Sequence, residues 1–233
     1  MQDLEALFSQ MGGTFVKEMP IAKHLPEIQG FLFDWDGVFN GGRKSEVASS
    51  DFSESVSMGV NMLRFSYYLK YGRQPLMIIV TGQKNPGAIR LASREHFDAL
   101  FMNIKDKKTT LPTLETTFNL TPEHAGFFFD DILDLSLAER VRIPILIKNF
   151  AAPMLQEYVI KNKLAGYVTA NDGEKNGLRE ACELLIGMNG NFDDTVSHRV
   201  AFSDDYQQYL AERNKIETLF LSSSDGGIKP FTP

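Results

Sequence analysis

One cysteine, one tryptophan and four scattered histidines are all that the sequence offers of these residue types. A single thiol, Cys182, leaves no intrachain disulfide and fits a reducing compartment. His24, His96, His124 and His198 show no metal-ligand spacing. Positive charge is also scarce: 24 lysines and arginines face 30 acids, for a formal charge of −6, and no basic run occurs. Such a chain has no long-range attraction for phosphodiester backbones or anionic lipid, so no nucleic-acid partner is expected. Long hydrophobic runs are missing too. PLMIIV and IPILI are too short to span a bilayer, and MQDLEALFSQ carries acids where a secretory signal needs basic residues and then an apolar run. The expectation is a soluble cytoplasmic protein with no membrane partner. Its 233 residues are enough for one generous domain with a sizeable core.

What is present is a series of short β-branched and aromatic runs separated by helical stretches, the pattern of an α/β protein with a parallel sheet. Gly30 to Asp34, Pro75 to Thr81, Ala99 to Met102, Gly126 to Asp130 and Ile143 to Lys148 read as strands buried on both faces. Between the first two, Met58 to Tyr71 carries Val60, Leu63, Tyr67 and Tyr71 at helical spacing and stops at Gly72. Asn85-Pro86 and Thr121-Pro122 read as helix starts, a capping side chain before a proline. Leu4 to Met11 reads as a short helix ended by Gly12-Gly13, and Asn40 to Ser57 as a hairpin or flap. After Gly190 the chain turns polar and acidic, with one helix expected from Tyr206 to Phe220.

Acidic or hydroxylic residues stand at the carboxyl ends of these strands, where open α/β sheets bind ligands. The first strand runs into Asp34-Trp35-Asp36-Gly37. With Asp34 turned into the site, its carboxylate could attack phosphorus while Asp36 exchanges a proton with the leaving group. Asp-x-Asp-Gly also occurs in plain turns and calcium loops. The second strand ends at Thr81-Gly82, a hydroxyl and amides able to hold a phosphoryl oxygen. Lys105, Lys107 and Lys108 follow the third; one of them could neutralise a nucleophile and a transferring phosphoryl group, or all three could form a solvated loop. The fourth ends in Asp130-Asp131-Ile132-Leu133-Asp134, carboxylates for a hard cation and its waters, or a helix cap.

The ordered set strand-DWDG, strand-TG, lysine, strand-DDILD resembles the haloacid dehalogenase superfamily of aspartate-nucleophile phosphatases over about residues 29 to 187. DWDGVFNGG, DFSESVSMGVNML, IIVTGQ, Asp106-Lys107, FDDILDL and YVTANDG…LREACELL look, more narrowly, like 3-deoxy-D-manno-octulosonate 8-phosphate phosphatases and the phosphatase-like part of acylneuraminate cytidylyltransferases. The resemblance implies a Rossmann-like three-layer α/β/α sandwich with a mostly parallel sheet, a β-hairpin flap and no cap domain. It further implies Mg2+ as cofactor and a homotetramer in which a neighbour helps to close the site. Asp34 would be the nucleophile and Asp36 the general acid/base. Thr81, Gly82 and Lys107 would bind phosphate, with Asp34, Asp36 and Asp130 at the metal and Asp131 and Asp134 behind them. The spacing independently leaves no room for a cap: one flap and one helix separate Asp34 from Thr81, and one helix and a strand separate Thr81 from Lys107.

The chain departs from that family where substrate would be read. Gln83 stands where arginine is usual and cannot supply a permanent charge. Val56-Ser57 replaces an aspartate-glycine pair, and Phe129 replaces a glycine. The expected organisation is a helical arm over 1–28, the phosphatase-like domain over 29–188 and an acidic extension over 189–233. The expected activity is a magnesium-dependent phosphomonoesterase on a small phosphorylated metabolite, an acidic sugar phosphate, through an aspartyl-phosphate. A non-catalytic regulatory subunit and a sugar phosphomutase are the alternatives.

Overall fold

A computed structural model of the chain describes residues 2–43, 51–224 and 227–233. Five apolar runs form the middle of the sheet: β2 (Gly30–Phe33), β3 (Leu76–Val80), β4 (Ala99–Met102), β5 (Ala125–Phe129) and β6 (Ile143–Lys148). Four further strands complete it: β1 (Thr14–Phe15), β7 (Tyr167–Asp172), β8 (Leu219–Ser224) and β9 (Gly227–Pro230). Among the described residues the order across the sheet is β1-β7-β6-β5-β2-β3-β4-β8-β9. Pairing is parallel except at the margins, where β1 opposes β7 and β9 opposes β8.

The helices are α1 (Gln2–Gln10), α2 (Ile21–His24), α3 (Glu54–Tyr71), α4 (Pro86–Arg94), α5 (Leu111–Phe118), α6 (Leu135–Ala138), α7 (Pro153–Lys161), α8 (Gly177–Asn189), α9 (Phe192–Val200) and α10 (Asp204–Arg213). Strand alternation sends side chains to two apolar layers. Phe31 and Phe33 join Phe65 of α3, Leu91 of α4, Leu184 of α8 and Tyr209 of α10. Leu32 joins Leu114 of α5, Leu137 of α6 and Val159 of α7 on the other face. Each such fully buried side chain contributes about 1.5–3 kcal/mol of transfer free energy, which is why the centre of the sheet tolerates no polar residue on either face. The result is the expected three-layer sandwich. Only the segment through α3 lies between β2 and β3, and only α4 between β3 and β4, so no cap domain exists among the described residues.

The structure departs from the sequence reading in several places. Helix α3 begins at Glu54, not Met58, because the Ser53 hydroxyl accepts the Val56 amide and caps it. Residues 54–57 are therefore helix, while the centre of the expected flap, 44–50, lies outside the described residues. The helix expected over Tyr206 to Phe220 stops at Arg213, and Leu219–Ser224 instead pairs in parallel with β4. That strand owes its existence to the open edge of β4. Its own three serines give little β signal. Helix α9 was not anticipated either. On α8, Arg179 pairs with Glu183. Glu180 is buried and accepts from the Tyr167 hydroxyl and from the amides of Ala170 and Asn171. Cys182 is fully buried among the helices, as packing alone requires. No helix among the described residues is long and apolar enough to cross a membrane.

Candidate active site

The strand order reverses at β2, which has β3 on one side and β5 on the other. Chains leaving neighbouring strands in opposite directions open a crevice at their carboxyl ends. Asp34 follows β2 and Asp130 follows β5, so the two acids flank that crevice. The Asp34 amide continues the ladder by donating to the Phe128 carbonyl at 2.9 Å, which fixes where its side chain starts.

Lys107, buried in the turn after β4, places its ammonium against Asp34 Oδ1 and Asp134 Oδ1. Of the three lysines after β4, Lys107 alone pairs with Asp34; Lys108 pairs with Asp106 at 3.5 Å. The second oxygen of Asp134 accepts from the backbone amides of Asp131 at 3.1 Å and Asp130 at 3.3 Å. Asp134 is thus a buried brace that orients both the lysine and the acid loop. Asp131 caps the following turn by accepting from the Ile132 amide. Asp36 lies half-buried beyond Trp35, which is turned into the core and stacks on Phe39 with 4.9 Å between ring centroids. Gly37 sits at φ +89°, and a Cβ there would overlap the Asp130 carboxylate, so only glycine fits this approach.

Thr81 is buried at the end of β3, and its hydroxyl accepts from Asn85 Nδ2 at 2.8 Å. The same amide nitrogen reaches Asp36 Oδ2 at 3.3 Å. Asn85 was read as a helix cap. Its side chain makes no capping bond and links the Thr81 hydroxyl to Asp36 instead. Sequence reasoning missed this residue because Asn-Pro before an apolar run carries the same signal in either role. Asp34, Asp36, Gly82, Lys107, Asp130, Asp131 and Asp134 line one cavity of about 560 Å³. Thr81, directly before Gly82, is not among the residues that line it. A second cavity, about 380 Å³, shares Asp36, Asp130 and Asp131 and extends to Lys148 and Asp172.

The electrostatics are those of a site built for a cation. Burial, then the charge of Asp134, push the Asp34 carboxyl up to about 7 despite Lys107. Burial, then Asp34 and Asp134, push Asp130 up to about 9. Burial alone would lower the Lys107 ammonium, but the two carboxylates outweigh it and hold it above its ordinary range. Oxygens of Asp34, Asp130 and Asp134 all lie within 4.8 Å of one another. Asp130 Oδ1 is buried and has no hydrogen-bond partner among the described residues. An orphaned oxygen in an all-carboxylate donor set suits a hard divalent ion, which would return both acids to the ionised state.

Comparison with solved structures places the fold among known ones. A probable YrbI family phosphatase from Pseudomonas syringae pv. phaseolica superposes with a TM-score of 0.62 at 25% identity, over 78% of this chain and 97% of that one. The 3-deoxy-D-manno-octulosonate 8-phosphate phosphatase of Moraxella catarrhalis, solved with magnesium, phosphate and the sugar acid, gives 0.62 at 21% identity over 76% and 96%. The cobalt-bound deoxy-D-mannose-octulosonate 8-phosphate phosphatase of Haemophilus influenzae gives 0.60 at 19% over 72% and 93%. No protein-family model and no curated protein matches the chain. The fold, with acids gathered at its strand ends, resembles the haloacid dehalogenase-type phosphatases. Within that class, the fold is that of the capless phosphatases resembling the 3-deoxy-D-manno-octulosonate 8-phosphate enzymes.

Proposed function

We propose that the protein is a magnesium-dependent phosphatase that hydrolyses a small acidic sugar phosphate through an aspartyl-phosphate on Asp34. The observation that carries this reading is the Asp34 carboxylate fixed by Lys107, with Asp36 two residues on and Asp130 on the neighbouring strand end. Asp34, the Asp36 backbone carbonyl and Asp130 would hold the Mg2+, with Asp131 and Asp134 supporting them, and the ion would neutralise phosphoryl oxygens as the ester binds.

Asp34 attacks phosphorus, the ester oxygen departs, and Asp36 protonates it as the alcohol. Asp36, now ionised, takes a proton from the water that attacks the aspartyl-phosphate, which releases inorganic phosphate and restores Asp34. Asn85 holds Asp36 and the Thr81 hydroxyl in register, and Thr81 with the Gly82 amide supports a phosphoryl oxygen. Lys107 offsets the charge of the phosphoryl group as it transfers. Ile132 and Leu133, 65% and 70% exposed beside the cavity, form the rim that a neighbouring subunit of a homotetramer would cover in the cytoplasm.

The test is phosphate release from a panel of sugar phosphates with magnesium. Asp34→Asn should lower kcat by at least about 1,000-fold while the far-ultraviolet circular dichroism stays unchanged. Full phosphate release by that variant would refute the mechanism.

A further inference from the structure

Helix α9 carries an apolar stripe that its own chain leaves open. Phe192, Val196 and Val200 stand four residues apart and so share one face, where they are 37%, 42% and 79% exposed. Thr195 is the residue that α9 buries. The chain then turns at Phe202, whose φ is +48°. Its amide donates to the Arg199 carbonyl at 3.3 Å and the Ser203 amide to the His198 carbonyl at 3.1 Å, a helix end that usually takes glycine because a side chain strains the left-handed backbone. Here a phenylalanine bears that strain. Its ring meets Tyr206 edge-on, with 5.5 Å between centroids, yet the residue stays 50% exposed, so its own chain repays only part of the strain.

The charges of α9 indicate what covers the stripe. Its first turn holds Asp193 and Asp194 and its last turn His198 and Arg199. Neither aspartate carboxylate has an ion pair or hydrogen bond among the described residues. Arg199 lies over the Tyr206 ring, 4.9 Å from its centroid, and its buried Nε has no hydrogen-bond partner among those residues. A second α9 laid antiparallel and centred on Val196 sets each acidic turn level with the other copy's basic turn, with the helix axes about 8–10 Å apart and salt screening correspondingly weak. A parallel pair would set like charges together. Phe192 of one copy then lies level with Val200 of the other, and ridges spaced by four interlock at a crossing of about 50°.

We propose that α9 and Phe202 form a two-fold contact between two copies of this chain. The contact is distinct from the Ile132 and Leu133 rim. Asn191, which opens α9, accepts from the Ser66 hydroxyl late in α3, and α3 runs from the carboxyl end of β2 back to the amino end of β3, so α9 starts at the end of the sheet opposite the acids. It also lies beyond residue 187, where the resemblance to the phosphatases stops, and it holds whatever the site hydrolyses. The four apolar residues expose about 350 Å² per copy, within the range of patches that function on monomers. With the usual share of polar atoms around them, a pair buries about 1,200 Å², the low end for specific complexes. The association is therefore reversible, with a Kd of the order of 10 μM.

The experiment is disulfide trapping on the full chain. Val196→Cys sets one thiol from each copy beside the two-fold axis, and the native Cys182 is fully buried and stays out of the reaction. With copper phenanthroline as oxidant and protein at about 50 μM, above that Kd, Val196→Cys should give a cross-linked dimer on a non-reducing gel. Glu115→Cys, exposed on α5, should not. Added singly to Val196→Cys, Asp193→Lys or Arg199→Glu sets like charges level across the contact and should slow cross-linking about tenfold. Mixing these two doubly substituted chains puts opposite charges level again and should restore the rate, which a folding defect in either chain would not allow. No cross-link in Val196→Cys, or one no faster than in Glu115→Cys, overturns the proposal, and a stripe that serves a different protein gives that result. A rate indifferent to the charge changes overturns it too, as does a mixture no faster than its two parts.

Discussion

Removing divalent metal should make the stability of this protein fall with rising pH, and the size of the fall can be worked from Asp34. Its carboxyl moves from an ordinary 3.8 in the unfolded chain to about 7 when folded, because burial and Asp134 disfavour its charge. A carboxyl raised on folding costs nothing below its unfolded value, where both states are protonated. The cost grows as pH rises and saturates above the folded value. About one unit of that shift is incurred by pH 5 and about two more units by pH 8; at 1.36 kcal/mol per unit the second part is about 3 kcal/mol. For a chain of this size that corresponds to about 6–12 °C in Tm. Asp130, pushed up to about 9, acts in the same direction, but each shift contains the other's repulsion and the two do not add.

The assay is thermal unfolding from pH 5 to pH 8 in EDTA, repeated with magnesium. The Tm should drop across the range in EDTA and recover at pH 8 with the ion, whose charge removes the penalty. A chain carrying −6 also gains general self-repulsion as pH rises. Asp130→Asn separates the two effects, since it removes one buried titration and should flatten the EDTA curve and raise its pH 8 end. A flat or rising EDTA curve, or a Tm at pH 8 indifferent to magnesium, would refute the cation-site argument.

Two other substitutions probe the framework around the site. Lys107→Met leaves Asp34 and Asp134 buried without their shared counter-ion, so urea unfolding should show a loss of about 3–5 kcal/mol together with lost phosphate release. Glu180→Gln sets an NH2 group against the Ala170 or Asn171 amide, and should cost about 1–3 kcal/mol in the same unfolding assay while kcat on p-nitrophenyl phosphate is kept.

The sandwich and the gathering of aspartates were legible because both rest on local signals. Continuous apolar runs such as Phe31-Leu32-Phe33, spaced between helical stretches, read as doubly covered strands, and acids directly after such runs fall at one end of a parallel sheet. The choice among Lys105, Lys107 and Lys108 was not legible from the residues alone, since which lysine turns inward depends on the coil of the short turn after β4. Asn85 was hidden because one side chain can cap a helix or cross to another loop, and only the buried Thr81 hydroxyl decides between them. Leu219–Ser224 was hidden for a similar reason. A strand at a margin takes its conformation from its neighbour, and Leu221 is the one member of it that is buried.

That marginal strand affects the order in which the site can form. The strand that delivers Lys107 has β3 on one side and β8 on the other, and the second partner lies about 120 residues further along the chain. Contacts so distant in sequence close late, because the intervening segment must lose its freedom before they return any stabilisation. On a ribosome, β2, β3 and β5 can associate well before β8 has been synthesised. The aspartates can therefore meet early, while the strand that carries the lysine gains its second partner only after about 120 further residues have been made.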